Sequence, residues 1–213
     1  MSRMAGLIED YALIGDLHTS ALVSRTGSID WLCLPRLDSD ASFAALLGTA
    51  DNGHWTISPL SDVLSIERAY RPDTLVLETT MTTAEGVVKL IDFMPIRHKH
   101  PVIIRLIGGV SGTVAMRSTL APRFGYGRIT PFYLPSPSGV VAQAGPDALL
   151  HVTPAQARIE GADALCEVTV VAGQTVAFQT IWHRPWTDPP IPRDPLVEDR
   201  AQERASIGHR GLG

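Results

Sequence analysis

At 213 residues the chain fits one large domain, or one domain with a tail. Its 45% hydrophobic and 19% charged content belongs to a globular protein rather than a disordered one. A formal net charge of -4 and a pI near 5.9 give no basic footprint for nucleic acid, and no apolar run approaches the ~18–20 residues of a membrane-spanning helix.

The opening stretch, MSRMAGLIEDYALIGD, carries acidic residues where a secretory leader needs an apolar core and a cleavage site, so the expected location is the cytoplasm. Tyr11 to Gly15 reads as a first strand. Ala21–Ser24 and Ser28–Leu34 then alternate around Thr26-Gly27, where glycine supplies the positive φ of a tight hairpin turn. Pro35 breaks the second run, because proline donates nothing to a sheet ladder. Beyond the polar loop of Arg36, Asp38, Ser39 and Asp40, the segment Phe43 to Leu47 reads as a short helix between a Ser or Asp cap and Gly48.

Gly53–Ser58 and Val63–Tyr70 read as strands separated by Pro59. Thr74–Thr82 and Val87–Phe93 flank the turn Ala84-Glu85-Gly86, with apolar residues on both faces, the pattern of a sheet covered on both sides. Val102–Ile107 and Thr113–Leu120 read as a hairpin around Gly108-Gly109-Val110-Ser111-Gly112. Pro122 to Pro137 has no clean period. Short strands resume at Gly139–Gln143, Leu149–Val152 and Ala157–Glu160, and Ala164–Val171 with Thr175–His183 forms a last hairpin. Roughly a dozen strands, with turn signals every eight to twelve residues, predict an all-β antiparallel sandwich with one short helix. The domain is placed at 1–186, followed at 187–213 by a Pro-rich linker and a C-terminal helix over Leu196–Ile207.

Several motifs recur in a known order: Ile8-Glu9-Asp10-Tyr11, Gly27-Ser28-Ile29-Asp30-Trp31, Pro35-Arg36-Leu37-Asp38-Ser39, Gly53-His54-Trp55 and Arg123-Phe124-Gly125-Tyr126-Gly127-Arg128. On these residues the stretch from Ile8 to Trp186 resembles the N-terminal β-domain of bacterial glycoside hydrolase family 15 proteins, the glucoamylase and trehalase group. The resemblance implies a large, supersandwich-like β-sandwich that precedes a catalytic (α/α)6 barrel. That barrel is not expected in this chain. It also implies α-linked glucosides, such as trehalose or maltooligosaccharides, as substrates, and acid and base glutamates carried by the barrel. Leu37 stands where phenylalanine is common in the family, and Gly125 where an aspartate is common.

An inverting glycosidase needs two carboxyl groups about 6.5–9.5 Å apart. By position the carboxylates to consider are Asp30, Asp38, Asp40, Glu78, Glu85 and Asp92. Asp40 reads as a helix cap and Glu85 as a turn residue, while Asp30 and Asp92 lie inside strands in structural roles. No catalytic residue is assigned in this chain. Trp31, Arg36 and Asp38 in one loop region, and Arg123, Tyr126 and Arg128 in another, are the candidates for a substrate rim or a domain interface. Aromatic rings stack on sugar faces, and Arg and Asp bind hydroxyls. Their structural alternative is a core Trp31 and an Arg36–Asp38 pair that pins the loop. His98 and His100 lack an identifiable third ligand, so neither a metal nor a cofactor is expected. Cys33 and Cys166 are compatible with a disulfide or with two buried thiols. The partner expected is an (α/α)6 barrel supplied in trans, or a second copy of the chain, with an α-glucoside as ligand. The alternatives are a free carbohydrate-binding or interaction module, and a truncated remnant.

Overall fold

A computed structural model describes residues 6–209, with side chains through residue 203. Met1–Ala5 of the acidic opening and the last residues of the 187–213 segment therefore lie outside the described residues. Among the described residues fifteen strands join in one antiparallel hydrogen-bonded network that folds into two layers. The first layer holds β1 (Tyr11–Gly15), β2 (Ser20–Ser24), β3 (Ser28–Cys33), the short β4 (Ala41–Phe43) and β5 (His54–Pro59). The second holds β6 (Ser65–Tyr70), β7 (Leu77–Thr82) and β8 (Gly86–Phe93). The 20-residue β9 (Val102–Ala121) belongs to both. Its first half pairs with β8, and its second half pairs with β5. A single turn follows, α1 (Phe124–Gly127), then β10 (Phe132–Ser136), β11 (Gly139–Ala144) and β12 (Asp147–Val152) in the second layer. β13 (Arg158–Glu160) and β14 (Asp163–Val171) extend the first layer, β15 (Thr175–His183) returns to the second, and α2 (Pro195–His209) ends the described chain. Among the described residues no helix is long and apolar enough to cross a membrane.

The inner faces of the two layers meet in one apolar cluster that includes Ile14, Val23, Ile29, Trp55 and Ile57 from the first and Leu77, Met81, Val88, Leu90 and Phe178 from the second. Alternation along β9 puts Ile103 and Ile107 in that cluster and Val102, Ile104 and Leu106 in another, with Phe93, Leu150 and Ile181. The second layer is therefore apolar on both faces, as the two-sided pattern of β7 and β8 predicts. The segment after β15 comes down on its outer side. There the Gln179 side-chain amide bonds both the carbonyl and the N–H of Arg193, and Pro190 is buried.

One polar group sits at the centre. Arg105 on β9 and Asp92 on β8 are directly paired across the ladder and fully enclosed. The Arg105 guanidinium donates to Asp92 at 2.7 and 3.2 Å, then crosses to the other layer to donate to the Trp55 carbonyl at 2.7 Å and the Gly27 carbonyl at 2.8 Å. It also lies 5.0 Å from the centroid of the Trp55 ring. His151 meets Trp55 edge-on, stacks near Phe178 and bonds Thr180 through Nδ1.

Two tyrosine hydroxyls close the sides of the sandwich. Tyr70 on β6 donates to the Leu13 carbonyl and accepts from the Leu13 N–H of β1, which occupies backbone groups that the edge strand would otherwise leave open. Arg68 beside it donates to the Asp10 and Val23 carbonyls. On the opposite side Tyr133 of β10 donates to the Ala162 carbonyl at 3.0 Å, and burial pushes its hydroxyl pKa up.

Four local expectations are corrected. Ala164–Val171 and Thr175–His183 are not a hairpin: β14 pairs with β13 and the second half of β9 in the first layer, β15 with β12 and the first half of β9 in the second, because β9 itself changes layer between those pairings. Phe43–Leu47 is not a helix capped by Ser39 or Asp40. Ala41–Phe43 is drawn into the sheet by pairing with the end of β3, and only Ala45–Leu47 makes one 3-10 turn. The Ala44 and Ala45 N–H groups bond the Gly53 carbonyl, and the turn they begin closes after two i→i+3 bonds, at Leu47 and Gly48. Gly108–Gly112 is not a hairpin turn but the point where β9 passes from one layer to the other. Its glycines let the Glu85-Gly86 and Ala172-Gly173 turns close onto the strand, where a Cβ on Gly109 or Gly112 would strike a backbone carbonyl of Val171 or Glu85. The aperiodic Pro122–Pro137 contains both α1 and β10, and Pro135 is tolerated there because β10 is an edge strand. Of the two α-helical segments among the described residues, α2 is the C-terminal helix expected over Leu196–Ile207, and α1 is a single turn.

Removing Asp92 leaves a buried guanidinium without its counter-charge. Asp92→Ala is expected to cost about 3–5 kcal/mol in urea unfolding, and a loss under about 1 kcal/mol would contradict the role given to the pair. Burial also pushes the His151 pKa down to about 3. Below the ordinary histidine pKa of ~6.5, the unfolded chain binds a proton that the folded chain refuses. Stability is thus expected to fall as pH drops from ~6.5 toward ~3, by up to about 1.4 kcal/mol per unit. His151→Leu should flatten that part of the profile; an unchanged profile would contradict the assignment.

Candidate functional site

The first loop begins where β3 ends, and its backbone is fixed from beneath. Asp16, fully buried in its side chain, accepts from the His18 and Thr19 N–H groups through one oxygen and from Arg97 Nε at 2.7 Å through the other. Arg97 Nη1 donates to the Pro35 carbonyl at 2.6 Å, the Leu37 N–H donates to the His18 carbonyl, and the Thr19 hydroxyl donates to the Cys33 carbonyl. A held backbone with free side chains results. Arg36, Leu37 and Asp38 project into solvent beside Leu17 and His18, around an open recess of about 400 Å3. Arg36 donates to Asp38 through Nε at 2.9 Å and Nη2 at 3.2 Å, with the two side chains 69% and 72% exposed. That bonding holds the Asp38 carboxyl below the usual carboxylate range.

The second loop is α1 with its flanks. Arg123 anchors it by donating to Asp163 at 2.7 Å and to the Pro122 and Ala162 carbonyls, while its own N–H bonds the Ser42 carbonyl of β4. Gly125, Tyr126 and Gly127 then take φ of +60°, +63° and +92°, three consecutive left-handed residues. Glycine accepts that conformation freely, but tyrosine does not. Gly127 rests on Asn52, where a Cβ would meet the amide at 2.6 Å. Asn52 in turn is locked by a reciprocal capping box with Thr49. The turn sets the Tyr126 ring 6.2 Å from that of Trp31, at an interplanar angle of 43°.

Trp31 and Tyr126, from separate motifs, are thus brought together. Trp31 is half-buried against Cys33, Ala41 and Ala44, and Tyr126 is 40% exposed. Arg36 and Asp38 bind each other, as the structural alternative predicts. Arg123 is an anchor in the wall of the turn, whereas Arg128 stands exposed. Asp16, Arg97, Asn52 and Asp163 are the residues that sequence reasoning missed. Two signals were available: Asp16 precedes Thr19 at the spacing of a side-chain turn, and Asn52 is the chain's one asparagine, set before a glycine.

Of the other carboxylates considered, Asp40 is exposed, and Asp30, Glu78 and Glu85 are engaged structurally. Asp30 accepts from the Tyr11 hydroxyl at 2.7 Å and from the Ser28 hydroxyl. Glu78 lies between Arg71 and Lys89, and Glu85 accepts from Ser61. Among the described residues no group of three or more His, Cys, Asp or Glu is placed to hold a metal ion. Cys33 and Cys166 are free and buried, and burial pushes both thiols up. Trp182 is in the core with its Nε1 donating to Asp147, and Arg184 lies against both Trp182 and the exposed Trp186.

The family model described as trehalase-like, N-terminal, matches residues 1–164. A trehalase of Mycolicibacterium smegmatis is 28% identical over 204 residues, which cover 83% of this chain and 30% of that protein. Trehalase 1 of Sulfolobus acidocaldarius is 34% identical over 128 residues, 60% of this chain and 21% of its own length. A trehalase of Mycobacterium tuberculosis is 31% identical over 141 residues, 57% of this chain and 21% of its own. The chain spans no more than 30% of the length of these relatives. With its two motif loops built on a two-layered antiparallel frame, and its match extending over most of the sequence, the chain belongs to the trehalase-like N-terminal domain family.

Proposed function

We propose that this chain is the accessory N-terminal domain of a glycoside hydrolase family 15-type enzyme of the glucoamylase and trehalase group, working in the cytoplasm on α-linked glucosides such as trehalose. It lends the 34–39 loop and the 123–128 turn to the pocket rim, or to the interface, of an (α/α)6 catalytic barrel. The observation that carries this reading is the Trp31–Tyr126 contact, which packs the motif strand β3 against the 123–128 turn, while the 34–39 loop that follows β3 has an anchored backbone and exposed side chains. A strained Tyr126 and an exposed Arg36–Asp38 pair add little to fold stability, so both suit recognition better than folding. Asp30, Glu78 and Asp92, three of the carboxylates considered for catalysis, are tied to structural partners, in keeping with acid–base chemistry carried by the barrel. A second reading is a free carbohydrate-binding module, favoured by an exposed Tyr126 ring and an exposed Arg36–Asp38 pair on the motif loops.

The test is affinity capture of the tagged chain from its own cell lysate, with glucose release from trehalose and maltotriose assayed in the eluate. The accessory reading predicts activity in the captured fraction and none in the purified chain. Arg36→Ala and Arg128→Ala should lower the captured activity about tenfold or more, while each shifts the urea stability of the chain by less than about 1 kcal/mol. Sugar binding by the purified chain, measured calorimetrically with an inactive eluate, would favour the binding module. Activity in the purified chain alone would sink both readings.

A further inference from the structure

Over its described side chains the C-terminal helix is docked with its polarity reversed. In α2, Pro195, Glu198, Asp199 and Gln202 recur at the spacing of one helix face and are the partly covered positions, while Leu196 and Val197 are 46% and 59% exposed. A helix held by apolar burial would turn those two inward. Among the described side chains α2 is tied down by charge instead. Arg71, at the end of β6, donates to Asp199 at 2.9 Å and pairs with Glu203 at 3.4 Å, one helical turn further on. Arg193 pairs with Glu198 at 3.2 Å just before the helix. The Arg71 and Asp199 side chains are 15% and 17% exposed.

We propose that α2 is an electrostatic latch, a helix held on the sandwich by carboxylates gripping Arg71 and free to leave without disturbing the fold beneath. Two features allow that release. Arg71 keeps a second counter-ion, Glu78, at 3.0 Å, so its charge stays compensated when Asp199 departs. A single helix of this length is also marginal in water, so its order depends on its docking. Gln202 forms one wall of a recess of about 340 Å3 lined also by Leu17, Leu75, Met94 and Ile96. Release of α2 removes that wall and widens an apolar surface already partly open at Leu17, Leu75 and Ile96.

The test is hydrogen exchange on the whole chain, comparing wild type with the double variant Asp199→Asn, Glu203→Gln. The latch predicts at least about tenfold faster exchange in the amides of α2, with β7, β8 and β9 unchanged. Wild type should show the same change when ionic strength rises from about 0.01 M to about 1 M, as the screening length falls from ~30 Å to ~3 Å. Leu196→Ser and Val197→Ser should leave exchange in α2 as it was. The proposal is overturned if neutralising the carboxylates and adding salt both leave α2 protected, or if the outward serine substitutions release it.

Discussion

The Arg105–Asp92 pair is the constraint on which the rest of the molecule depends. It lies where both layers share β9, and it places a permanent charge among the largest buried side chains of the core. Such a charge is tolerable only if it is neutralised and its donors are used. Asp92 supplies the counter-charge from the same layer, while the Gly27 and Trp55 carbonyls supply acceptors from the other. The register of β8 against β9, the tight turn at Gly27 and the placement of β5 are therefore fixed together. Slipping any of them would strand a buried donor. Gly27 has its own reason to be glycine, since its φ is +80° and a Cβ there would press on the Ile57 carbonyl.

The same device recurs at the two loops. Arg97 joins the Asp16 carboxylate to the Pro35 carbonyl, and Arg123 joins Asp163 to the Pro122 and Ala162 carbonyls. In each case a planar guanidinium spends one edge on a carboxylate and another on the backbone of a separate segment, which a lysine ammonium does less well. This use of arginine gives a structural sense to a composition in which only Lys89 and Lys99 are lysines. It also explains how loops without regular hydrogen bonding can hold exposed side chains in defined places. The frame binds the backbone, so Arg36, Asp38 and Tyr126 are left to solvent.

Much of the fold was legible because strand alternation and glycine turns are local signals. The β2–β3 hairpin and the β7–β8 pair were readable from period and turn residues, whereas the turn at Ala172-Gly173 joins two strands of different layers rather than a hairpin. What failed had non-local causes. Gly108–Gly112 carries the composition of a turn, but its glycines answer to neighbouring chain, the turns at Glu85 and Ala172, which no local window contains. Ala41–Phe43 has helix-like flanks and is captured by β3. The same limit applied at the site. Motif order pointed to Trp31 and Tyr126, yet their contact depends on Asn52 beneath Gly127 and on Arg123 reaching Asp163. Partners so distant in sequence leave no periodic trace.

A core arginine fixes the layers, further arginines fix two loops, and Tyr126 of the second loop meets Trp31 at the strand that leads into the first. Within the proposed function, those loops are where a catalytic barrel would be met. The most direct measurement is hydrogen exchange of the chain alone and in complex with an (α/α)6 catalytic domain lacking its own N-terminal domain. The account predicts new protection concentrated in residues 34–39 and 123–128. Protection confined to the β10 edge or to the face around β6 and α2, with those two segments unchanged, would contradict it.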